Sequence, residues 1–140
     1  GQQTGMGEMV WSPLASELLS GKYKPSESEV KGEGRLASIA NSGNPDFDKF
    51  TDKNWEIVKA FEEVSKEVDQ PMAAVAINWV ANRPGVSSVI LGATKLNQLE
   101  QTVGALDFNI PQELANKLDE VSKPTSSFLI RFLPRGYNPC

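Results

Sequence analysis

Two β-type runs, separated and followed by helix-type runs, constrain the fold of this chain more than any other feature of its sequence. Met9-Val10-Trp11 is a short apolar run ending at Ser12-Pro13, where proline stops a ladder. Val86-Ser87-Ser88-Val89-Ile90-Leu91 is β-rich, bounded by Asn82-Arg83-Pro84-Gly85 before it and Gly92-Ala93-Thr94 after it. Between the runs, Ile57, Val58, Phe61, Val64 and Val68 follow helical spacing behind Thr51 or Asp52, either of which suits an N-cap. Met72, Val75, Ala76, Trp79 and Val80 give a more apolar helix, with Pro71 at a first helical position. After the second run, Leu96, Leu99, Val103 and Leu106 mark a helix beginning just past Thr94. Pro111 then opens another, with Leu114, Leu118 and Val121 on one side. The order is β, long loop, α, α, β, α, α, the grammar of a parallel α/β fold. The second strand is expected to be buried on at least one face. A parallel sheet normally has both faces covered and is rarely two strands wide. The chain therefore reads as a piece of something larger, or as one member of an assembly.

Two long stretches carry no sustained period. Ser20 to Asp48 is polar and rich in Gly, Ser, Pro and Asn, a loop length that is usually functional or disordered. Ser122 to Cys140, with Pro124, Pro134 and Pro139, reads as an irregular tail whose Phe128, Leu129, Ile130, Phe132 and Leu133 need something to pack against. Opening on Gly1 rather than methionine, the chain reads as an excised or processed piece.

Absent residues narrow the chemistry. The sequence contains no histidine, which excludes a Ser-His-Asp triad, a Cys-His pair and any histidine metal site. Its single cysteine is the terminal Cys140, so neither an intramolecular disulfide nor a thiolate zinc site is possible. A reducing, cytoplasmic setting is the natural expectation. The net charge of −4 is spread along the chain rather than gathered into a basic face, which argues against nucleic acid as a partner. No apolar run approaches the roughly 20 residues of a membrane span, and no signal-peptide pattern opens the sequence.

The first candidate for chemistry is the strand-to-helix corner Ile90-Leu91-Gly92-Ala93-Thr94-Lys95. Glycine at the end of a parallel strand lets a ligand approach the backbone, and the helix that follows offers free amides and a partial positive charge. Thr94 suits a cap or a phosphate donor, Lys95 adds a charge, and Gln98 lies one turn on along the same side. The alternative is a plain βα turn with a capping threonine and a solvated lysine. The second candidate is Trp11-Ser12-Pro13-Leu14-Ala15-Ser16 with Ser20-Gly21-Lys22-Tyr23, where a hydroxyl at a strand end and a lysine on a flexible glycine suit a pyrophosphate. Its alternative is a turn followed by an exposed Lys-Tyr pair. Gly32-Glu33-Gly34-Arg35-Leu36-Ala37 matches a G-x-G-x-x-A pattern, but the preceding Lys24 to Lys31 is polar, not a hydrophobic strand. Arg35 is the residue of interest there. Glu62-Glu63, and Asp46 with Asp48, read as solvated charges.

Together the two corners resemble a known family. Trp11-Ser12-Pro13-Leu14-Ala15 with Leu19-Ser20-Gly21-Lys22-Tyr23 is similar to the segment after strand seven of aldo-keto reductases, closest to the branch of potassium-channel beta subunits and related bacterial enzymes. Gly85 to Ala93, then Thr94 and Gln98-Leu99, resembles strand eight of that branch and the helix behind it. Pro71 to Trp79 resembles the helix between. The likeness covers Met6 to Pro124. It implies the last two βα units of a (β/α)8 TIM barrel over residues 1–124, followed by the tail at 125–140. It also implies NADP(H) binding at the barrel's C-terminal rim.

By resemblance, Ser12, Leu14, Ser16 and Lys22 line the nicotinamide and pyrophosphate stretch, Arg35 reaches in from the long loop, and Gly92, Thr94 and Gln98 hold the adenosine 2′-phosphate. Gln101-Thr102 stands where the family usually has Glu-Asn beside the adenine, and Glu17 where relatives often carry glycine near the pyrophosphate. The family's catalytic Asp, Tyr, Lys and His come from the first half of the barrel, and neither Tyr23 nor Tyr137 sits in a matching context. The chain alone is expected to be inactive. It is expected to be completed by the missing N-terminal barrel half or covered by homo-oligomerisation. Three functions follow: part of an NADP(H)-dependent carbonyl reductase, a non-catalytic module that binds NADP(H) or a partner, or a self-associating scaffold fragment.

Overall fold

The computed structural model describes residues 5–23 and 51–123. In chain order these form β1 (Glu8–Val10), a 3-10 turn (Leu18–Ser20), α1 (Asp52–Glu67), α2 (Met72–Ala81), β2 (Val86–Val89), α3 (Leu96–Val103), a second 3-10 turn (Gly104–Leu106) and α4 (Gln112–Ser122). The candidate Arg35, most of the long loop and the tail beyond residue 123 lie outside the described residues.

The two strands pair in parallel, Glu8 opposite Val86, Met9 opposite Ser88 and Val10 opposite Val89. Both are shorter than their apolar runs: Trp11 lies beyond β1, and Ile90 and Leu91 lie beyond β2. Proline is the reason. The Val10 carbonyl accepts the Ile90 N–H at 2.8 Å, and Ser12-Pro13 then ends the strand that β2 would follow. Where the strands enter the sheet, Gly7 passes so close to β2 that a Cβ on it would lie 1.9 Å from Ser87 Oγ and 2.8 Å from Ser87 Cβ.

Local signals set the helix starts. Thr51 caps α1, its hydroxyl oxygen accepting the Asn54 N–H at 3.2 Å. Pro71 precedes α2 as its cap residue, one place earlier than the sequence suggests, because its ψ of 140° is extended while its fixed φ of −56° already suits the coming turn. Phe61 and Val64 of α1, Val75 of α2 and Leu118 of α4 form the centre of the core, each at most 1% exposed. Leu18 and Leu19 close it from the first 3-10 turn. The Phe61 and Trp79 rings meet edge to face, their centroids 5.6 Å apart, and the Trp79 Nε1–H donates to Asp119 Oδ1 at 2.8 Å. Arg83 lies over the Trp79 ring at 4.5 Å and pairs with the same carboxylate, so one cluster ties α2 to α4.

Asn78 is the buried polar exception at 2% exposure. Its Nδ2 donates to the carbonyls of Ala105 at 2.9 Å and Phe108 at 2.7 Å, and its Oδ1 accepts from Asn82 Nδ2 at 3.0 Å. These bonds fix the turn after α3 to the middle of α2, and so fix where α3 lies.

Cover is uneven. α2 packs on β2, yet Ser87 and Ser88 are exposed and Val86 and Val89 only half-buried. The expectation of a strand buried on at least one face is not met, since none of its four residues is buried. Met9, Trp11 and Ile90 are exposed beside it. The periodic set Leu96, Leu99, Val103 and Leu106 does form a stripe on α3 and the turn after it, but that stripe faces outward, 46–71% exposed. No helix among the described residues is long and apolar enough to cross a membrane.

Candidate functional site

Parallel pairing brings the C-terminal ends of β1 and β2 side by side, the usual place for a ligand in an open α/β sheet. Both corners open there on one cleft of about 670 Å³. The β1 side supplies Trp11, Ser12, Pro13, Leu14, Ser16, Glu17, Ser20 and Lys22. The β2 side supplies Ile90, Leu91, Gly92, Ala93 and Thr94, and α3 adds Gln98, Gln101 and Thr102. Pro71, Ala73, Ala74 and Ile77 from the start of α2 line it between the two corners. Ser12, Leu14, Ser16, Lys22, Gly92, Thr94, Gln98, Gln101 and Thr102 therefore line the same cleft, while Lys95 does not. Arg35 lies outside the described residues.

The β1 corner is a strained turn. Ser12 (φ 56°), Ala15 (49°), Ser16 (61°) and Glu17 (78°) all adopt the left-handed region that residues with a Cβ avoid. Hydrogen bonds hold it: the Ala15 N–H donates to the Ser12 carbonyl at 3.0 Å, and the Ser16 N–H to Ser12 Oγ at 3.3 Å. Ser12 thus spends part of its hydroxyl on its own loop. Gly21 (φ 82°) releases the chain from the 3-10 turn and swings Lys22 to the rim. Tyr23 packs against the core and its O–H donates to Glu17 Oε2 at 3.5 Å. Burial first, then the Glu17 charge and that hydrogen bond, raise the phenol above its ordinary value, so it remains a donor.

The β2 corner is organised by Gln98. Its Oε1 accepts the Thr94 N–H at 3.1 Å, the Thr94 hydroxyl at 3.2 Å and the Lys95 N–H at 3.2 Å. The cap position of α3 is Lys95, not Thr94, which corrects the sequence reading. The glutamine at the third helical position makes the reach-back half of a capping box, accepting the N–H of the cap residue itself, whereas a Ser or Thr cap would accept an amide of the first turn. Lys95 is not among the residues lining the cleft. A Cβ on Gly92 would meet nothing within 4 Å, so packing does not demand glycine there; the position offers bare backbone to whatever enters. The Thr102 hydroxyl donates within α3, to the carbonyls of Gln98 and Leu99 at 2.9 Å each, and has only lone pairs left for a ligand.

Sequence reasoning missed the apolar lining from α2. Its signal was the small-residue run Ala73-Ala74 ahead of Ile77, which reads as an ordinary helix face until the corners are seen to converge over it. Among the described residues lining the cleft, Lys22 and Glu17 are the only formal charges, and they are opposite. The rest of the polar lining is hydroxyl and amide. Such a set suits holding and orienting a ligand. No group of three or more His, Cys, Asp or Glu side chains among the described residues is placed to hold a metal.

The sequence model of the aldo/keto reductase family matches residues 1–123. The chain belongs to the aldo/keto reductase family. A probable voltage-gated potassium channel subunit beta of Oryza sativa subsp. japonica is 38% identical over 125 residues, 86% of this chain and 37% of that protein. The L-glyceraldehyde 3-phosphate reductase of Escherichia coli K12 is 32% identical over 109 residues, 76% of this chain and 30% of that one. The chain spans about a third of the length of these aldo/keto reductase relatives, 30–37%.

Proposed function

We propose that the cleft binds NADP(H) and that the chain is the cofactor-holding portion of an oxidoreductase interconverting carbonyls and alcohols. Family membership supports this reading. The single observation that carries it is the convergence of both strand-end corners on one cleft. The cleft fits the group: its volume of about 670 Å³ lies within the usual range for ligand sites. Gly92 leaves backbone bare, and hydroxyls and amides line the walls. Gly92, Thr94 and Gln98 take the 2′-phosphate end beside the N-terminus of α3. Gln101 meets the adenine with its amide, and Thr102 with its acceptor lone pairs. Ser12, Leu14, Ser16 and Lys22 take the pyrophosphate and nicotinamide stretch. When bound, the nicotinamide supplies the hydride. The proton donor comes from outside this chain, which by itself catalyses nothing.

In the same reading, β1 and β2 are the last two strands of a (β/α)8 barrel. The rest of the barrel packs on the open sheet and on the α3 stripe, and a cytoplasmic setting goes with that chemistry. A second reading, a non-catalytic regulatory module that binds NADP(H) or a partner protein, is favoured by the rice and Arabidopsis relatives described as potassium channel subunits. Trp11, 75% exposed at the cleft, is the reporter for both. Titration with NADPH is expected to change tryptophan fluorescence saturably, and no change up to roughly millimolar ligand overturns NADP(H) binding in either reading. Turnover of a reactive aldehyde by this chain alone contradicts the absence of catalysis.

A further inference from the structure

Glu17 contributes the only carboxylate among the described residues lining the cleft, and it sits in a conformation that works against it. Its backbone is left-handed, φ 78° and ψ −1°, at the end of the run begun by Ala15 and Ser16. Glycine adopts that geometry freely; a residue with a Cβ does so only when its surroundings hold it. Two contacts bear on Glu17 here. The 3-10 turn pins the backbone, the Ser20 N–H donating to the Glu17 carbonyl at 3.0 Å. Tyr23, packed against the core, directs its phenolic O–H toward the Glu17 carboxylate at 3.5 Å, a long contact. The pinned backbone therefore keeps the Glu17 carboxylate at the β1 corner. Its charge also cancels that of Lys22, so the formal charge of the lining is zero where an anion-binding cleft gains from a positive one.

We infer that Glu17 is the specificity-determining residue of the cleft, weakening ligands that carry a diphosphate past the β1 corner relative to adenosine monophosphates that occupy only the α3 end. The inference rests on the cofactor-binding reading above and adds which part of the ligand is disfavoured. Loss of the carboxylate leaves Lys22 unopposed, and loss of the Cβ as well removes the strain on the turn.

The test compares the chain with Glu17→Gln and Glu17→Gly, titrating each with NADP+ and with adenosine 2′-monophosphate. Glu17→Gln is expected to tighten NADP+ by roughly tenfold, the scale of one partly screened charge contact. The gain shrinks in high salt, while affinity for adenosine 2′-monophosphate stays the same. Glu17→Gly is expected to keep that gain and also raise the thermal midpoint, which Glu17→Gln does not. Equal NADP+ affinity in the chain and in Glu17→Gln, with the monophosphate still bound, overturns the inference and leaves the cofactor reading standing. Equal tightening of both ligands overturns it too. Failure of every variant to bind either ligand overturns the cofactor reading, and the inference falls with it.

Discussion

Tyr23 and Glu17 show how single side chains set the character of the β1 corner. The phenol sits above its ordinary value of 10.0, raised first by burial and then by the neighbouring carboxylate and the bond to it. The folded state therefore favours the protonated phenol. The stability it brings is fully present below about pH 10 and is lost as pH rises through the higher folded value. In a Tyr137→Phe background, near-ultraviolet absorbance is expected to show Tyr23 titrating above a free phenol. Glu17→Gln is expected to bring it part of the way back, since burial remains. An unchanged Tyr23 titration in Glu17→Gln contradicts the Glu17 contact. At the other corner, Thr94 had the right chemistry for a cap, but the cap position falls on Lys95, and Gln98 reaches back one turn to two amides and a hydroxyl at once. The sequence carried that signal as a glutamine three residues after Lys95.

Among the elements, the two-stranded sheet depends most on one close approach. Gly7→Ala places a methyl group against Ser87, and the shortest contact, to Oγ, is relieved by rotating the serine. The contact to Cβ at 2.8 Å is not, because that atom is fixed to β2. Gly7→Ala is expected to lower stability by about 1–3 kcal/mol in urea denaturation while leaving helix content near that of the parent. An unchanged midpoint contradicts the pairing of β1 with β2. Helices α1, α2 and α4 were legible in sequence because their apolar periods face a common core, with Val58, Phe61, Val64, Val75 and Leu118 all buried. α3 was legible as a helix, but not as an exposed one. Periodicity reports that an apolar face exists, and says nothing of whether anything lies against it. The strand ends were misjudged for a related reason: Ile90 and Leu91 have strand propensity, but β1 has already ended opposite them.

At the scale of the whole molecule, the stripe Leu96, Leu99, Val103 and Leu106 and the sheet beside Met9 and Trp11 are exposed apolar faces, which the rest of a barrel covers in the proposed reading. The chain alone is expected to self-associate at high concentration. Leu99→Glu with Val103→Glu is expected to shift sedimentation toward the monomer without loss of helix content. Concentration-independent monomer behaviour in the parent chain contradicts the stripe as a packing surface. The candidate site was legible as two separate corners, each with an innocent alternative as a turn. Sequence alone did not supply the floor from α2 or the register that places Val10 beside Val89, and those join the corners. Binding depends on the joined cleft, and Gly92 is the position that probes it. Space around Gly92 is open, so Gly92→Leu leaves the core untouched and fills the mouth of the cleft instead. Calorimetric titration with NADPH is the measurement. The expected result is binding by the parent chain and a loss of roughly tenfold or more in Gly92→Leu at an unchanged thermal midpoint. Equal NADPH affinity in the two proteins contradicts the cleft as the binding site.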